Sequence, residues 1–375
     1  MIEDGFRIGP VVCLLGPRQC GKTTLAHQYV EFLKKKGEVT VHFLDLEDPT
    51  HLARLQNPRL ALQDLKGLIV LDEIQRTPEI FPVLRVLADR KKKEARFLIL
   101  GSASRDLIRQ SSETLAGRIS FVDIHPFSLS EVGRDHLKRL WLRGGFPPSY
   151  LAGGDADSRN WREGYIRTFL ERDIPQLGFQ IPAHAVRRFW MMMTHYHGQI
   201  FNASEIAKSL DTTDTTARRY LDLLTGTLMV RRLSPWFENI SKRQVKRPKI
   251  FFRDTGILHS LLGVFDESAL TTHPKLGASW EGFALEEILK SCRADEEAFF
   301  WSVHQQMELD LLLIRSGRRI GFEIKYAEAP QVRAHHRAIV KTLRLDELNF
   351  VCPIEGESQV APKIRMIGLA SLLSG

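Results

Sequence analysis

Gly16-Pro17-Arg18-Gln19-Cys20-Gly21-Lys22-Thr23 follows an apolar run, Val11-Val12-Cys13-Leu14-Leu15, and precedes a helical pattern carrying Leu25, Tyr29, Phe32 and Leu33. The octapeptide fits GxxxxGK(S/T), and its place between a strand and a helix is the setting in which that spacing cradles phosphate. Glycine lets backbone N–H groups close around phosphate oxygens, and the helix N-terminus adds a favourable dipole. Lys22 is expected to reach the β- and γ-phosphates of a bound nucleotide and Thr23 to ligate Mg²⁺. Thr24 would join Gly16, Pro17, Arg18, Gln19, Cys20 and Gly21 around the nucleotide.

Downstream, Leu68-Ile69-Val70-Leu71-Asp72-Glu73 is an apolar strand ending in two carboxylates. In that position Asp72 would hold Mg²⁺, mostly through water, and Glu73 would orient or deprotonate the water attacking the γ-phosphate. Alone, an Asp-Glu pair at a strand end is ordinary; with the phosphate loop it specifies an NTPase. The next strand, Phe97 to Leu100, leads to Gly101-Ser102, and Ser102 is the candidate γ-phosphate sensor. Arg118, just before a strand at Ile119 to Ile124, sits where ring-forming ATPases send an arginine into a neighbour's site. A solvated strand-entry arginine is the other reading.

These strands, with Val39 to Leu46, alternate with amphipathic stretches, which implies a parallel sheet covered on both faces. From Pro126 the pattern turns predominantly helical, through Trp161 to Leu170 and Ala185 to His195. Gly144-Gly145-Phe146-Pro147-Pro148 and Gly153-Gly154 punctuate the change.

The chain has 375 residues, 43% hydrophobic and 26% charged, which excludes a single small module, a disordered chain and a disulfide scaffold. Its apolar runs fall far short of the ~20 residues a membrane-spanning helix needs. The acidic start Met1-Ile2-Glu3-Asp4 lacks the pattern of a secretory signal, and a cytoplasmic setting is expected. Cys13, Cys20, Cys292 and Cys352 show no zinc spacing and are expected as thiols. Fifty-three Lys plus Arg against 45 Asp plus Glu leave a charge of +8, which favours an anionic partner without naming one.

Ser204 to Leu210 reads as a helix capped by Ser204. Asp211-Thr212-Thr213 makes a turn, a second helix runs from Asp214 through Thr225, and Leu228 to Leu233 is a strand. Helix, turn, helix and strand is a winged helix-turn-helix order, in which the second helix can enter a DNA groove. Thr215, Thr216, Arg218 and Arg219 would face outward. Lys242, Arg243, Lys246, Arg247, Lys249 and Arg253 would offer phosphate contacts. Packing against protein, with a merely solvated basic loop, is the competing account.

Trp280 to Leu289 reads as a helix carrying Glu281. Glu308 to Ile314 and Ile320 to Lys325 read as paired strands around the turn Arg315 to Arg319. The hairpin register can bring Asp310 beside Glu323 and Lys325. Glu281, Asp310 and Glu323 would then hold Mg²⁺ while Lys325 positions or activates water. Asp-x₁₂-Glu-x-Lys on paired strands is the PD-(D/E)XK nuclease signature, and a surface salt bridge between Glu323 and Lys325 is the plainer alternative.

Together these residues resemble a prokaryotic family of AAA+ ATPases fused to a winged-helix segment and a PD-(D/E)XK nuclease-like C-terminal domain of unknown function. The resemblance is carried by Gly16 to Thr23, Leu71 to Gln75, Gly101-Ser102, Leu115 to Arg118, Gly144 to Pro147, Trp280 to Phe283, Glu308 to Asp310 and Phe322 to Lys325. It implies an α/β fold in four segments: an ATPase domain over 1–135, a helical lid or linker over 136–200, a winged helix over 201–270 and a nuclease-like domain over 271–375. It further implies ATP rather than another nucleotide, Mg²⁺, and assembly into a homo-oligomer or ring. DNA is the expected partner. The functional readings left open are an ATP-dependent DNA-processing enzyme with Mg²⁺-dependent cleavage, a motor that remodels DNA such as branched DNA without cutting, and a regulatory switch whose C-terminal parts only bind partners.

Overall fold

The structure, a computed structural model, describes residues 1–37, 40–90, 94–102, 113–179, 181–238, 244–293, 297–303 and 307–373; of Ser102 it describes the backbone only. Two compact units emerge: Met1–His125 with Gly226–Leu228, and Pro126–Thr225 with Met229–Gly375.

The first unit is built on five parallel strands, β1 (Val11–Gly16), β2 (Val41–Asp45), β3 (Gly67–Asp72), β4 (Ala95–Ser102) and β5 (Ile119–Asp123), in the order β2-β3-β4-β1-β5. Parallel neighbours need crossovers that cover the sheet faces, and β1 is accordingly buried at every position. On one face Ile80, Phe81, Leu84 and Leu87 of the helix Ile80–Ala88 pack on Val11, Cys13, Leu15, Ile69 and Leu71. Each such side chain contributes roughly 1.5–3 kcal/mol on burial. The β1 and β3 strands are not neighbours; β4 lies between them, with Gly16 in register with Ser102 and Ile99 with Leu71. The C-terminal ends of β1, β3 and β4 therefore bring the phosphate loop, the Asp72-Glu73 pair and Ser102 to one edge. The segment 105–116, which the sequence reads as helical ahead of Arg118, lies largely outside the described residues.

The second unit carries a nine-stranded mixed sheet: β6 (Gln199–Ile200), β7 (Val230–Pro235), β8 (Lys249–Phe252), β9 (Ala298–Val303), β10 (Met307–Arg315), β11 (Arg318–Ile324), β12 (Glu347–Cys352), β13 (Glu357–Ala361) and β14 (Ile364–Gly368). The order is β13-β14-β12-β11-β10-β9-β7-β8-β6. The β10–β11 hairpin turns at Ser316-Gly317, both with positive φ, which suits the twist of two-residue hairpin loops. The seam is β7, which runs antiparallel to β8 and parallel to β9, so one sheet passes through both 201–270 and 271–375. The helices Ala203–Ser209 and Asp214–Gly226 precede β7. Asn202, not Ser204, occupies the cap position of the first; the Ser204 hydroxyl instead donates to Asp214 at 2.5 Å. The helix Leu276–Cys292 lays Trp280, Phe283, Ala284 and Ile288 into a core with Phe300, Leu311 and Phe322.

Candidate functional sites

The phosphate loop ends in Gly21 at φ +103, a left-handed turn open to glycine, from which the helix Lys22–Lys35 starts. A Cβ on Gly16 would lie 2.3 Å from the Ile124 carbonyl oxygen, so close packing of β1 on the chain beyond β5 requires glycine there. The Lys22 side chain is buried and curls back, its Nζ donating to the carbonyls of Gly16 (3.1 Å) and Pro17 (2.9 Å). Thr23 Oγ1 donates to Asp72 Oδ2 at 2.7 Å, and Asp72 Oδ1 accepts from the Glu73 amide at 2.9 Å. Glu73 has φ +54, a left-handed turn that costs a non-glycine residue on the order of 1 kcal/mol and redirects its side chain at the strand end. Gln75 donates its amide to the Glu73 carboxylate. Burial raises the pKa of both acids; Thr23 opposes the shift at Asp72, and the nearby Lys22 and Arg18 charges oppose it at Glu73.

Sequence reasoning missed three members of this neighbourhood. Asp45, at the end of β2, is in register with Asp72; Glu47 accepts from Arg18 at 2.8 Å; and Gln75 holds Glu73. Asp45 and Glu47 were signalled only by their place at or just past an apolar strand end, and Gln75 only by its place in the Leu71 to Gln75 motif, with no role attached. Thr24 is exposed on the first helical turn, and Cys20 is buried with its thiol 3.6 Å from the Ile124 carbonyl. Arg118 stands at the opposite end of the sheet, its carbonyl accepting from Val11, and its guanidinium pairs with Asp89 at 2.5 and 3.0 Å. Six residues of β1 separate that point from the phosphate loop, roughly 20 Å at ~3.3 Å per residue.

In the second unit β10 and β11 pair antiparallel with Leu311 opposite Phe322, and Asp310 and Glu323 are the next residues beyond that pair. Lys325 Nζ lies 2.9 Å from Glu323 and 3.3 Å from Asp310, whose Oδ2 also accepts from the Ile324 amide. Glu281 comes from the helix Leu276–Cys292. The unanticipated member is Lys249, the first residue of β8 and 3% exposed at its side chain. Its ammonium is 2.5 Å from Glu308, 3.4 Å from Glu281 and 3.9 Å from Asp310. Burial raises the pKa of Glu281 and Glu323, with the Asp310 charge adding to it. Burial alone would lower the two lysines, but Glu281, Asp310 and Glu308 outweigh it at Lys249, and Asp310 and Glu323 at Lys325, so both stay charged. Among the described residues no three His, Cys, Asp or Glu side chains stand as a metal-holding group. Two ammonium groups, those of Lys249 and Lys325, stand among its carboxylates.

Thr215, Arg218 and Arg219 are exposed and Thr216 half-buried along the helix Asp214–Gly226; Lys246 and Arg247 are exposed ahead of β8. Lys242 and Arg243 lie outside the described residues. Two charges read as phosphate contacts turn inward instead: Lys249 as above, and Arg253, whose Nε lies 3.6 Å from the buried Glu286. Both belong to the segment around β8, whose apolar Ile250-Phe251-Phe252 run was the available sign that it is interior.

A family model described as an AAA domain matches residues 9–133, a domain of unknown function (DUF8612) matches 134–268 and a second (DUF4143) matches 276–360. The phosphate loop, the acid pair on the next strand but one and this match define the first unit as a P-loop ATPase domain of AAA type. Uncharacterised proteins of Mycobacterium tuberculosis and Mycobacterium bovis are each 53% identical over 346 residues, 92% of this chain and 77% of theirs. The chain belongs to the family of these mycobacterial proteins. Similar solved structures include the Walker-type ATPase PABY2304 of Pyrococcus abyssi (15% identical, 70% of this chain and 93% of that one, TM-score 0.48) and Cdc6p of Pyrobaculum aerophilum (13%, 68% and 86%, 0.28). Among the described residues no helix is long and apolar enough to cross a membrane.

Proposed function

We propose that this chain is an ATP-hydrolysing protein that engages DNA as a homo-oligomer, its AAA unit driving a winged-helix and nuclease-like unit. The observation that carries the reading is the joining of Lys22, Thr23, Asp72 and Glu73 at one sheet edge, with Thr23 bonded directly to Asp72. That hydroxyl and carboxylate are the oxygen donors a Mg²⁺ ion takes beside nucleotide phosphates. Lys22 exchanges its two loop carbonyls for phosphate oxygens, while Thr23 and Asp72 hold the metal. Bound Mg²⁺ supplies charge neutralisation at the phosphates. Glu73, freed from Gln75, orients the attacking water; Ser102 reads the γ-phosphate from the end of β4; and Arg118, too far from its own loop, serves a neighbouring subunit.

DNA engagement is supported by the order helix, turn, helix, β7 and β8, with Thr215, Thr216, Arg218 and Arg219 along the second helix and Lys246 and Arg247 before β8. Such cations contact phosphates without reading sequence. The test is steady-state ATP hydrolysis with and without single-stranded, duplex and four-way junction DNA across a salt series, with Lys22→Ala as the blank. Salt-sensitive stimulation by one DNA form supports the reading, and a rate indifferent to every DNA overturns it.

The switch reading has one observation in its favour: Lys249 fills the carboxylate cluster that a nuclease would keep for metal. It expects slow ATP hydrolysis, nucleotide-dependent assembly and no cutting with Mg²⁺ or Mn²⁺. Cleavage that disappears in Glu323→Ala or Lys325→Ala decides against it.

A further inference from the structure

We propose that Lys249 is the resident cation of the C-terminal carboxylate cluster and competes with divalent metal for it, so that the cluster is closed to metal until β8 draws back. Two observations converge. The Lys249 ammonium lies within 4 Å of Glu281, Glu308 and Asp310, the position from which a metal would be shared by the same oxygens. A divalent ion binds carboxylate oxygens at about 2.0–2.6 Å, so ion and ammonium exclude one another. Glu323, 6% exposed, keeps Oε2 buried and without a hydrogen-bond partner beside Asp310, a donor atom the lysines do not use.

The location of Lys249 supplies the means of withdrawal. Glu281 belongs to the helix Leu276–Cys292 and Glu308 and Asp310 to β10, whereas Lys249 opens β8 one residue, Pro248, beyond exposed Lys246 and Arg247. A polyanion gripping those two cations pulls on the residue that seals the cluster. This trigger rests on the DNA reading above; the competition itself does not.

The competition is read by titrating Mn²⁺ alone into the full chain by calorimetry, in an Asp72→Asn background that removes the metal-holding carboxylate of the nucleotide site. Lys249→Met is expected to bind Mn²⁺ at least ten-fold more tightly than the parent, Lys249→Arg to match the parent, and Lys249→Met with Glu323→Gln to lose the gain. Equal affinity in parent and a folded Lys249→Met, judged by its melting curve, overturns the proposal and leaves Lys249 a structural ion pair. Should Lys249→Met not fold, the parent still answers. A small acylating reagent read by mass spectrometry should label Lys249 several-fold more with saturating Mn²⁺ than without, and unchanged labelling overturns it. Duplex DNA should tighten Mn²⁺ binding in the parent but not in Lys246→Ala/Arg247→Ala. A DNA effect that is absent while Lys249→Met gains metal overturns the DNA reading and upholds the competition.

Discussion

Thr23 and Asp72 are joined hydroxyl to carboxylate at 2.7 Å, a contact closed across 49 residues of chain and across one intervening strand. It exists because the ends of β1 and β3 are held on one edge with β4 between them. Asp72→Asn should retain nucleotide binding and lose turnover by roughly 100-fold or more, since the charge stabilisation a metal contributes is worth several kcal/mol. Nucleotide titration beside a hydrolysis assay checks this; turnover within a few-fold of the parent would remove Asp72 from the metal site.

Arg118 at the far end of β1 makes an intersubunit prediction. Arg118→Ala and Glu73→Gln should each be nearly inactive, yet mixing them should restore part of the activity, because some interfaces then pair an intact Glu73 with an intact Arg118. Mixtures no more active than their components, at concentrations where oligomers form, would leave Arg118 as the surface partner of Asp89.

Gly282 faces the ring of His197, and a Cβ there would lie 2.2 Å from His197 Nε2. Gly282→Ala should destabilise the second unit by about 1–3 kcal/mol, the usual cost of overpacking a filled core, despite alanine's better helix propensity. Urea unfolding followed by tryptophan fluorescence is the measurement. An unchanged midpoint would mean the ring moves aside freely.

Arg231 meets Glu286 through two hydrogen bonds in the interior, and Arg253 approaches the same carboxylate. Glu286→Ala strips charge from between two guanidinium groups and should cost about 3–5 kcal/mol. Replacing Arg231 and Glu286 together by apolar residues of similar size should cost markedly less, which a double-mutant comparison of melting curves reads out.

His197 and His259 are fully buried, and burial pushes them down to about 3 and about 4. His259 is satisfied as a neutral ring between the Leu142 carbonyl and the Ser279 hydroxyl. Both groups therefore bind protons in the unfolded chain before they do in the fold. The stability they preserve is complete above their unfolded pKa near 6.5 and is lost as pH falls from there toward 4, roughly 3 kcal/mol at pH 4 for His197. Stability of the second unit that stays level between pH 6.5 and 4.5 would contradict this.

The strands of the first unit were legible because continuous apolar runs and an octapeptide of fixed spacing are local signals. The strand order was not, since it depends on which runs pair. Asp310, Glu323 and Lys325 could be brought together from a hairpin register, a relation also local in sequence. Lys249 could not, because its distance in sequence from Asp310 is closed by β7 pairing with β8 on one side and β9 on the other. Read linearly, it was one more cation in a basic stretch; only its apolar successors hinted that the strand turns inward. Ser204 was misplaced for a similar reason: serine suits a cap, but a partner at Asp214 pulled its hydroxyl elsewhere.

That shared seam at β7 also bears on how the gene can be divided. A fragment beginning near residue 271 would carry β9 without the strand that covers its outer edge, and would lack the lysine that balances its buried acids. Such a piece should aggregate or swap strands with its copies. The seam makes the second unit heritable only as a whole, so recombination that separates the helix pair from the last hundred residues would meet a folding barrier before any loss of activity is felt.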